Sequence, residues 1–419
     1  RRLLAFVIDV CNREWGNISI LGGTKEKDHY VEKLIHPTKN NPSPKYPFDI
    51  KGSEFYKFPS YLKRAVIAEA IGAVSSYRNN YKNWEDNGKK GNAPVLQMNR
   101  HAMPVFYNKN MYKKDAPKNA KYPKCMNPGD DNIRWLKLYQ NNDWVWVPVR
   151  LRKTDIDYIN KYWGACKDKS APALEKIHNK YYLRFSFTET VTLSDTPIAE
   201  QIICAVDLGI NTDAVCSIMK ADGTILARKF IDFTSRKQSK YGPKSARGLW
   251  AYVKRLNEDR AKKISAAIVE FASQHSVDAI VMEHLDFKGC KKRGSKAQRL
   301  SMWNHGIIRE KVEQKAHLLG IRIATICAWK TSALAFDGSG SVTRDDNNHA
   351  LATFTTGKQY NCDLSASYNI GARYFIRELL KSLPATEESH VKAKVPDVGR
   401  RTSCTLSTLR TLVKEISVA

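Results

Sequence analysis

Residues 202–207, Ile-Ile-Cys-Ala-Val-Asp, form a short apolar run that closes on a carboxylate, and residues 278–283, Asp-Ala-Ile-Val-Met-Glu, form a second. Short apolar runs of this length, rich in β-branched residues, read as strands buried on both faces. Working outward, Ala214–Met219 and Thr224–Phe230 read as two further strands, joined by a hairpin at Asp222-Gly223. Leu249–His275 reads as a long helix, Gln298–Leu319 as another, Ile321–Ile326 as a strand and Leu364–Leu383 as a last helix. The order is strand–strand–strand–helix–strand–helix–strand–helix, which predicts an α/β domain. If the strands ending in Asp207 and Glu283 are parallel neighbours, both carboxylates meet at one sheet edge, where α/β folds place their sites. Asp363 stands just before the last helix and can reach the same edge.

The chain changes character near residue 200. Before it, Leu62, Val66, Ile67, Ala70, Ile71 and Val74 recur at helical spacing over about Ser60–Tyr77, after a start signal at Pro59-Ser60. Residues 39–47 and 87–93 read as loops. From about Pro94 the pattern turns to strand: Trp144–Arg152 is β-rich, although Pro148 confines it to an edge or a bulge. Tyr181–Thr188 alternates, with Leu183, Phe185 and Phe187 on one face, and a helix at Thr154–Cys166 lies between them.

The 419 residues carry 69 Lys plus Arg against 42 Asp plus Glu, a net charge of +27. Such an excess repels itself unless an anionic partner neutralises it; nucleic acid is the first candidate and an anionic membrane surface the second. Nine Trp and 19 Tyr suit base stacking as well as core packing. No apolar run approaches the length of a membrane helix, so no integral membrane protein is expected. Leu3–Val10 is interrupted by Asp9 and does not read as a signal peptide. The chain begins at Arg1 rather than Met, as a sequence lacking its natural N-terminus would. Nine scattered cysteines without a CxxC argue for a reducing, cytoplasmic compartment and against a four-cysteine zinc site.

Three converging carboxylates repel each other unless cations join them, and Mg²⁺ takes oxygen ligands. Two such ions can support in-line hydrolysis of a phosphodiester without a side-chain nucleophile. Each acid also has a plainer use. Asp363 suits a helix N-cap, and Asp207 suits a turn before Gly209. Glu283 is harder to place otherwise, because a carboxylate closing an apolar strand is costly without a partner.

The stretch Ala205-Val-Asp-Leu-Gly-Ile-Asn-Thr-Asp-Ala214 resembles the first motif of RuvC-like nuclease domains. Ile280-Val-Met-Glu-His-Leu285 resembles the second, and Asn361-Cys-Asp-Leu-Ser-Ala-Ser-Tyr-Asn-Ile370 the third. Their spacing over residues 200–380 resembles TnpB, the transposon-encoded RNA-guided nuclease, and the compact type V CRISPR effectors. Phe58-Pro-Ser-Tyr-Leu-Lys-Arg64 and the helix after it resemble that family's recognition lobe. The resemblance implies an α+β multidomain chain: a mainly helical recognition lobe at 1–95 with room for a first wedge strand, a small β-barrel-like RNA-binding wedge at 96–200, an RNase H-like (RuvC) nuclease domain at 201–383, and a polar tail at 384–419. It implies that Asp207, Glu283 and Asp363 bind Mg²⁺ or Mn²⁺ and catalyse, with a guide RNA and double-stranded target DNA as partners and no membrane. The family's cysteine places fall on Ala335, Gly338, Thr353 and Thr356, although Thr331-Ser332 and Gly357 are kept. A degenerate zinc-ribbon loop at about 328–360 and no zinc are therefore expected; Cys327, His349 and Cys362 have the wrong spacing to replace the site.

Basic residues flank the acids. Lys288, Lys291, Lys292, Arg293, Lys296 and Arg299 follow Glu283, and Arg236, Lys237, Lys240, Lys244 and Arg247 precede the long helix; Lys63 and Arg64 sit on the earlier one. These are candidate phosphate contacts, which give affinity without sequence information; two solvated loops are the plainer reading. Taken with these basic segments, the resemblance points to an RNA-guided DNA endonuclease. A guide-loaded repressor that does not cut, and an RuvC-like resolvase or transposase that works without RNA, are the rivals.

Overall fold

The computed structural model describes residues 1–233, 247–285, 303–400 and 402–418, except positions 50, 52, 54, 57, 101, 102, 108, 119, 142, 178, 210, 211, 346, 347 and 349. The chain forms two compact units, Arg1–Glu189 and Thr190–Ala419.

The first unit opens with helices α1 (Arg2–Arg13), α2 (Trp15–Ser19), α3 (Thr24–Ile35) and α4 (Ser60–Asp86). Leu4, Val7, Ile8 and Cys11 recur on one face of α1 and are buried against Ile67, Ala70, Ile71 and Val74 of α4. The core of this unit thus begins with the apolar stretch at the start of the chain. Helix α4 runs beyond Tyr77 to Asp86. Its last turns carry no apolar stripe for a periodicity reading to detect, but Tyr77, Tyr81 and Trp84 lie ring against ring along one side.

Strands β1 (Tyr112–Lys113), β2 (Ile133–Gln140) and β3 (Asp143–Arg150) form an antiparallel sheet in that order. Pro148, which lacks a donor, lies on edge strand β3 opposite Trp135. Two smaller pairs follow: β4 (Asp168–Lys169) with β7 (Phe187–Thr188), and β5 (Ala173–Ile177) with β6 (Lys180–Arg184). Helix α5 (Lys153–Tyr158) continues as a π-helical turn to Gly164 and supplies Trp163 to an aromatic core with Phe106, Tyr112 and Phe185.

The second unit is built on one sheet. Its strands are β8 (Ile202–Leu208), β9 (Ala214–Lys220), β10 (Ile225–Ile231), β11 (Ala279–His284) and β12 (Arg322–Cys327). The spatial order is β10-β9-β8-β11-β12. β8 runs antiparallel to β9, β9 to β10, and β11 runs parallel to both β8 and β12. Three antiparallel strands continued by two parallel ones in this order are the RNase H-like topology, so the fold is α+β with an RNase H-like nuclease-type domain.

Alternate residues of the central strands feed two cores. Ile203, Ala205, Ala279 and Val281 pack against helix α8 (Cys362–Ser382). Cys204, Val206, Ile280 and Met282 pack against α6 (Arg247–Gln274) and α7 (His305–His317). Helix α8 lies so close to the sheet that a Cβ on Gly371 would come within 2.9 Å of the Met219 side chain. Asp278 anchors the start of β11: it accepts from the Ile202 backbone N–H (2.8 Å) and the Ser194 hydroxyl (2.6 Å).

The segment 384–419 corrects the expectation of a polar tail. It forms α9 (Ala385–Lys394) and α10 (Leu406–Val418), and Val391, Leu406, Leu409 and Leu412 are buried in the core around α8. The charged stretch 386–400 dominates the average composition there, and it hid a leucine stripe at helical spacing just beyond it. Between β12 and α8, strands β13 (Thr343–Arg344), β14 (Leu351–Thr353) and β15 (Gln359–Asn361) form a small antiparallel sheet. No helix among the described residues is long and apolar enough to cross a membrane.

Candidate active site

The register of β8 and β11 pairs Val206 with Met282, so the next residues, Asp207 and Glu283, stand side by side at the same end of the sheet. Both strands are apolar up to that point and buried over the four residues before it, and the carboxylates are the first half-buried side chains after them. The turn after Asp207 is tight: a Cβ on Gly209 would sit 2.5 Å from the Thr212 carbonyl oxygen, so only glycine fits. Asp363 lies in the first turn of α8. It does not cap that helix, because the Asn361 side chain accepts from the Leu364 N–H at 2.8 Å. The capping use of Asp363 is therefore already filled, and its carboxylate is left for other work.

The three acids are half-buried and influence one another. Burial pushes the Asp207 carboxyl well above its ordinary range, Glu283 and Asp363 push it the same way, and Arg344 pulls it back. Burial also raises Glu283, opposed by a hydrogen bond from Thr331 and by the charge of Arg373. Burial raises Asp363, opposed by Arg344 and a hydrogen bond from Thr212. Among the described residues, no three His, Cys, Asp or Glu side chains stand close enough to clasp one ion as placed. Glu283 accepts from the Thr331 hydroxyl, and Asp363 accepts a hydrogen bond from Thr212. The donor set, carboxylates with hydroxyls beside them, is all hard oxygen and matches a small divalent cation.

Helix α8 also holds the turn that supports Glu283. The Thr331 hydroxyl donates to Glu283. The Asn369 amide donates to the carbonyls of Thr331 (3.0 Å) and Leu334 (2.9 Å). One turn on, the buried Arg373 guanidinium donates to the carbonyls of Cys327 (3.0 Å), Trp329 (2.8 Å), Thr402 (2.9 Å) and Cys404 (3.1 Å). One helix thus carries the third acid and orients the second through a fixed turn. Sequence reasoning missed Thr331, Arg344, Asn369 and Arg373. Thr331 and Asn369 stood inside recognised motifs, but only the fold gives them partners.

In the loop before α8, Ala335 is fully buried with Ala352, Phe354 and Cys362, and Phe336 and Tyr360 pack on them. Gly338 takes a left-handed φ of +83° beside Ser407, and Thr353 ends β14. A small hydrophobic core therefore holds this loop together. Cys362 donates to the Ser332 carbonyl (3.4 Å), Cys327 is exposed at the end of β12, and His349 lies outside the described residues.

Lys288, Lys291, Lys292, Arg293, Lys296, Arg299, Arg236, Lys237, Lys240 and Lys244 also lie outside the described residues. Arg64 is exposed. Lys63 is a correction. Its side chain is 3 % exposed, with Nζ 3.2 Å from Asp49 and 2.8 Å from His36 Nδ1. It is a buried ion-pair partner on the core side of α4 and cannot present its charge to a phosphate.

The Aq_aa04 family model matches residues 1–139. The uncharacterized protein aq_aa04 of Aquifex aeolicus (strain VF5) is 40% identical over 60 residues, 14% of this chain and 31% of that protein, so the chain spans about a third of its relative. Among solved structures, the Cas12f1-sgRNA-target DNA complex aligns at 14% identity over 80% of this chain and 74% of that one, with a TM-score of 0.43. The AacC2c1-sgRNA binary complex aligns at 9% over 88% and 65%, TM-score 0.44. T. thermophilus RuvC with a Holliday junction substrate aligns at 12% over 43% and 96%, TM-score 0.26. All three scores are below 0.5, and the RNase H-like fold stands on the strand order of the sheet itself.

Proposed function

We propose that this chain is an RNA-guided DNA endonuclease that cleaves phosphodiester bonds with Mg²⁺ or Mn²⁺ held by Asp207, Glu283 and Asp363. The observation that carries the reading is the placement of these acids: two stand side by side at the ends of neighbouring parallel strands, and the third lies in the first turn of the helix packed across them. Burial, and then the like charges of Glu283 and Asp363, raise Asp207, and a bound cation would offset both. Such ions supply Lewis-acid activation of water and charge stabilisation for in-line hydrolysis.

The chain's own residues set the rest. Thr331 orients Glu283, Thr212 holds Asp363, and Arg344 brings positive charge to Asp207 and Asp363. All three acids are raised, so a cation competes with protons for them and metal affinity should rise with pH. The guided part of the reading is supported by the resemblance of the motif spacing and of Phe58–Arg64 to the RNA-guided family, and by the charge of +27, which phosphates of a guide RNA and a target duplex would neutralise. In that division of labour base pairing reads sequence, while the protein reads duplex shape and a short flanking motif. The test is to extract and sequence the RNA that copurifies with the protein. A discrete RNA species is expected; protein that purifies free of RNA and cuts branched DNA equally well would favour an unguided resolvase.

A further inference from the structure

The turn that supports Glu283 has an outer side that the hydrolytic chemistry does not use. Trp329 stands there with 65 % of its surface exposed, although an indole is costly to leave in water. Its position is fixed, because Arg373, itself buried, donates to the Trp329 carbonyl at 2.8 Å and Asn369 holds the Thr331 carbonyl two residues on. Between them Lys330 is exposed and takes a left-handed φ of +59°, a conformation that non-glycine residues rarely adopt. Backbone strain of this kind persists where surrounding structure enforces it, and it clusters at functional sites. The turn therefore fixes the backbone from which an exposed indole and an exposed ammonium project, two residues and one residue before Thr331, which touches Glu283.

We infer that Trp329 and Lys330 form a nucleotide subsite for unpaired DNA. The Trp329 indole takes the face of a base next to the scissile phosphate, and Lys330 takes a neighbouring phosphate. The inference rests on the nuclease reading above, since that reading places the strand to be cut against Asp207 and Glu283. A strand whose phosphate lies at those acids has bases within reach of a ring two residues from Thr331. Stacking accepts any base, because each has a π-face, so the subsite would hold the strand without reading its sequence.

The test uses the full chain with its copurified guide and a matching target, with single abasic residues placed along the cut strand. In the parent protein, an abasic residue beside the scissile phosphate should slow single-turnover cleavage about 5- to 150-fold, as a stacking contribution of about 1–3 kcal/mol per base implies. Trp329→Ala should lose the same factor on intact DNA and show no further loss on the abasic strand, and Trp329→Phe should recover part of it. Lys330→Gly suits the left-handed φ and keeps the fold. It should lower the log–log salt slope of single-strand binding by about 0.7. A Trp329→Ala protein that cuts at the parent rate, or whose defect multiplies with the abasic defect, would overturn the subsite. A second arm needs no cutting: a single strand bearing 2-aminopurine should be quenched by the parent chain and not by Trp329→Ala. Quenching without guided cleavage would defeat the nuclease reading and leave the subsite standing, whereas neither quenching nor cleavage would overturn both.

Discussion

Replacing Asp207 by Asn should stabilise the metal-free protein at neutral pH. The folded carboxyl is raised well above its ordinary value of 3.8 by burial, then by Glu283 and Asp363. In the unfolded chain the same group ionises near its ordinary value. Between those two values the folded state holds a proton that the unfolded state has released, so stability falls as pH rises. One such group gives a slope of about 1.4 kcal/mol per pH unit. The three acids titrate as a coupled set, and removing one should take up to that slope away from the set. Urea unfolding of the full chain in EDTA, from pH 4 to 8, measures it. Taking the difference between wild type and Asp207→Asn cancels groups remote from the site. The variant should gain on wild type steadily as pH rises from about 4, and near neutrality should lead by at least about 1 kcal/mol, within the range usual for relieving a strained functional site. Mn²⁺ should stabilise wild type far more than the variant, closing the gap. A variant with the wild-type pH slope, or one less stable than wild type in EDTA at pH 7, would refute the argument.

Leu409→Ala should destabilise the second unit by about 2–5 kcal/mol in the same urea assay, because Leu409 is fully buried against α8; an unchanged midpoint would return residues 406–418 to a tail. Lys63→Met should cost about 1–3 kcal/mol, because the buried Asp49 carboxylate of the first unit loses its lysine and keeps only His36 Nδ1 at 2.6 Å. It should leave the salt slope of nucleic-acid binding unchanged, since Lys63 faces the core. Neutralising Lys291, Lys292 and Arg293 together should slow cleavage and lower the salt slope by about one unit for each phosphate no longer neutralised, with guide-RNA binding kept; weakened RNA affinity with normal cutting once loaded would make that segment an RNA-binding one instead.

The strands of the RNase H-like sheet and its acids were legible because short apolar runs closing on a single carboxylate leave few alternatives to a buried strand with a charge near its end. Asp207 and Glu283 needed only strand adjacency to meet, and parallel β8 and β11 supply it. Asp363 was ambiguous until Asn361 proved to be the cap. Residues that act through the backbone were not legible. Arg373 looks like any surface arginine in sequence, yet it is buried and holds four carbonyls drawn from two distant segments. Lys63 misled because a lysine on an amphipathic helix usually faces water, whereas Asp49 and His36 meet it on the inner side. The helix at 406–418 was hidden by the charged stretch before it.

The central claim is that a guided cut depends on the acids at the end of the RNase H-like sheet. The most direct measurement is single-turnover cleavage, in Mg²⁺, of a DNA duplex matched to the copurified RNA, comparing wild type with Glu283→Gln, each loaded with that RNA. The account predicts guide-dependent cutting by wild type, and guided binding without cutting by Glu283→Gln. Cutting by Glu283→Gln at the wild-type rate would contradict it.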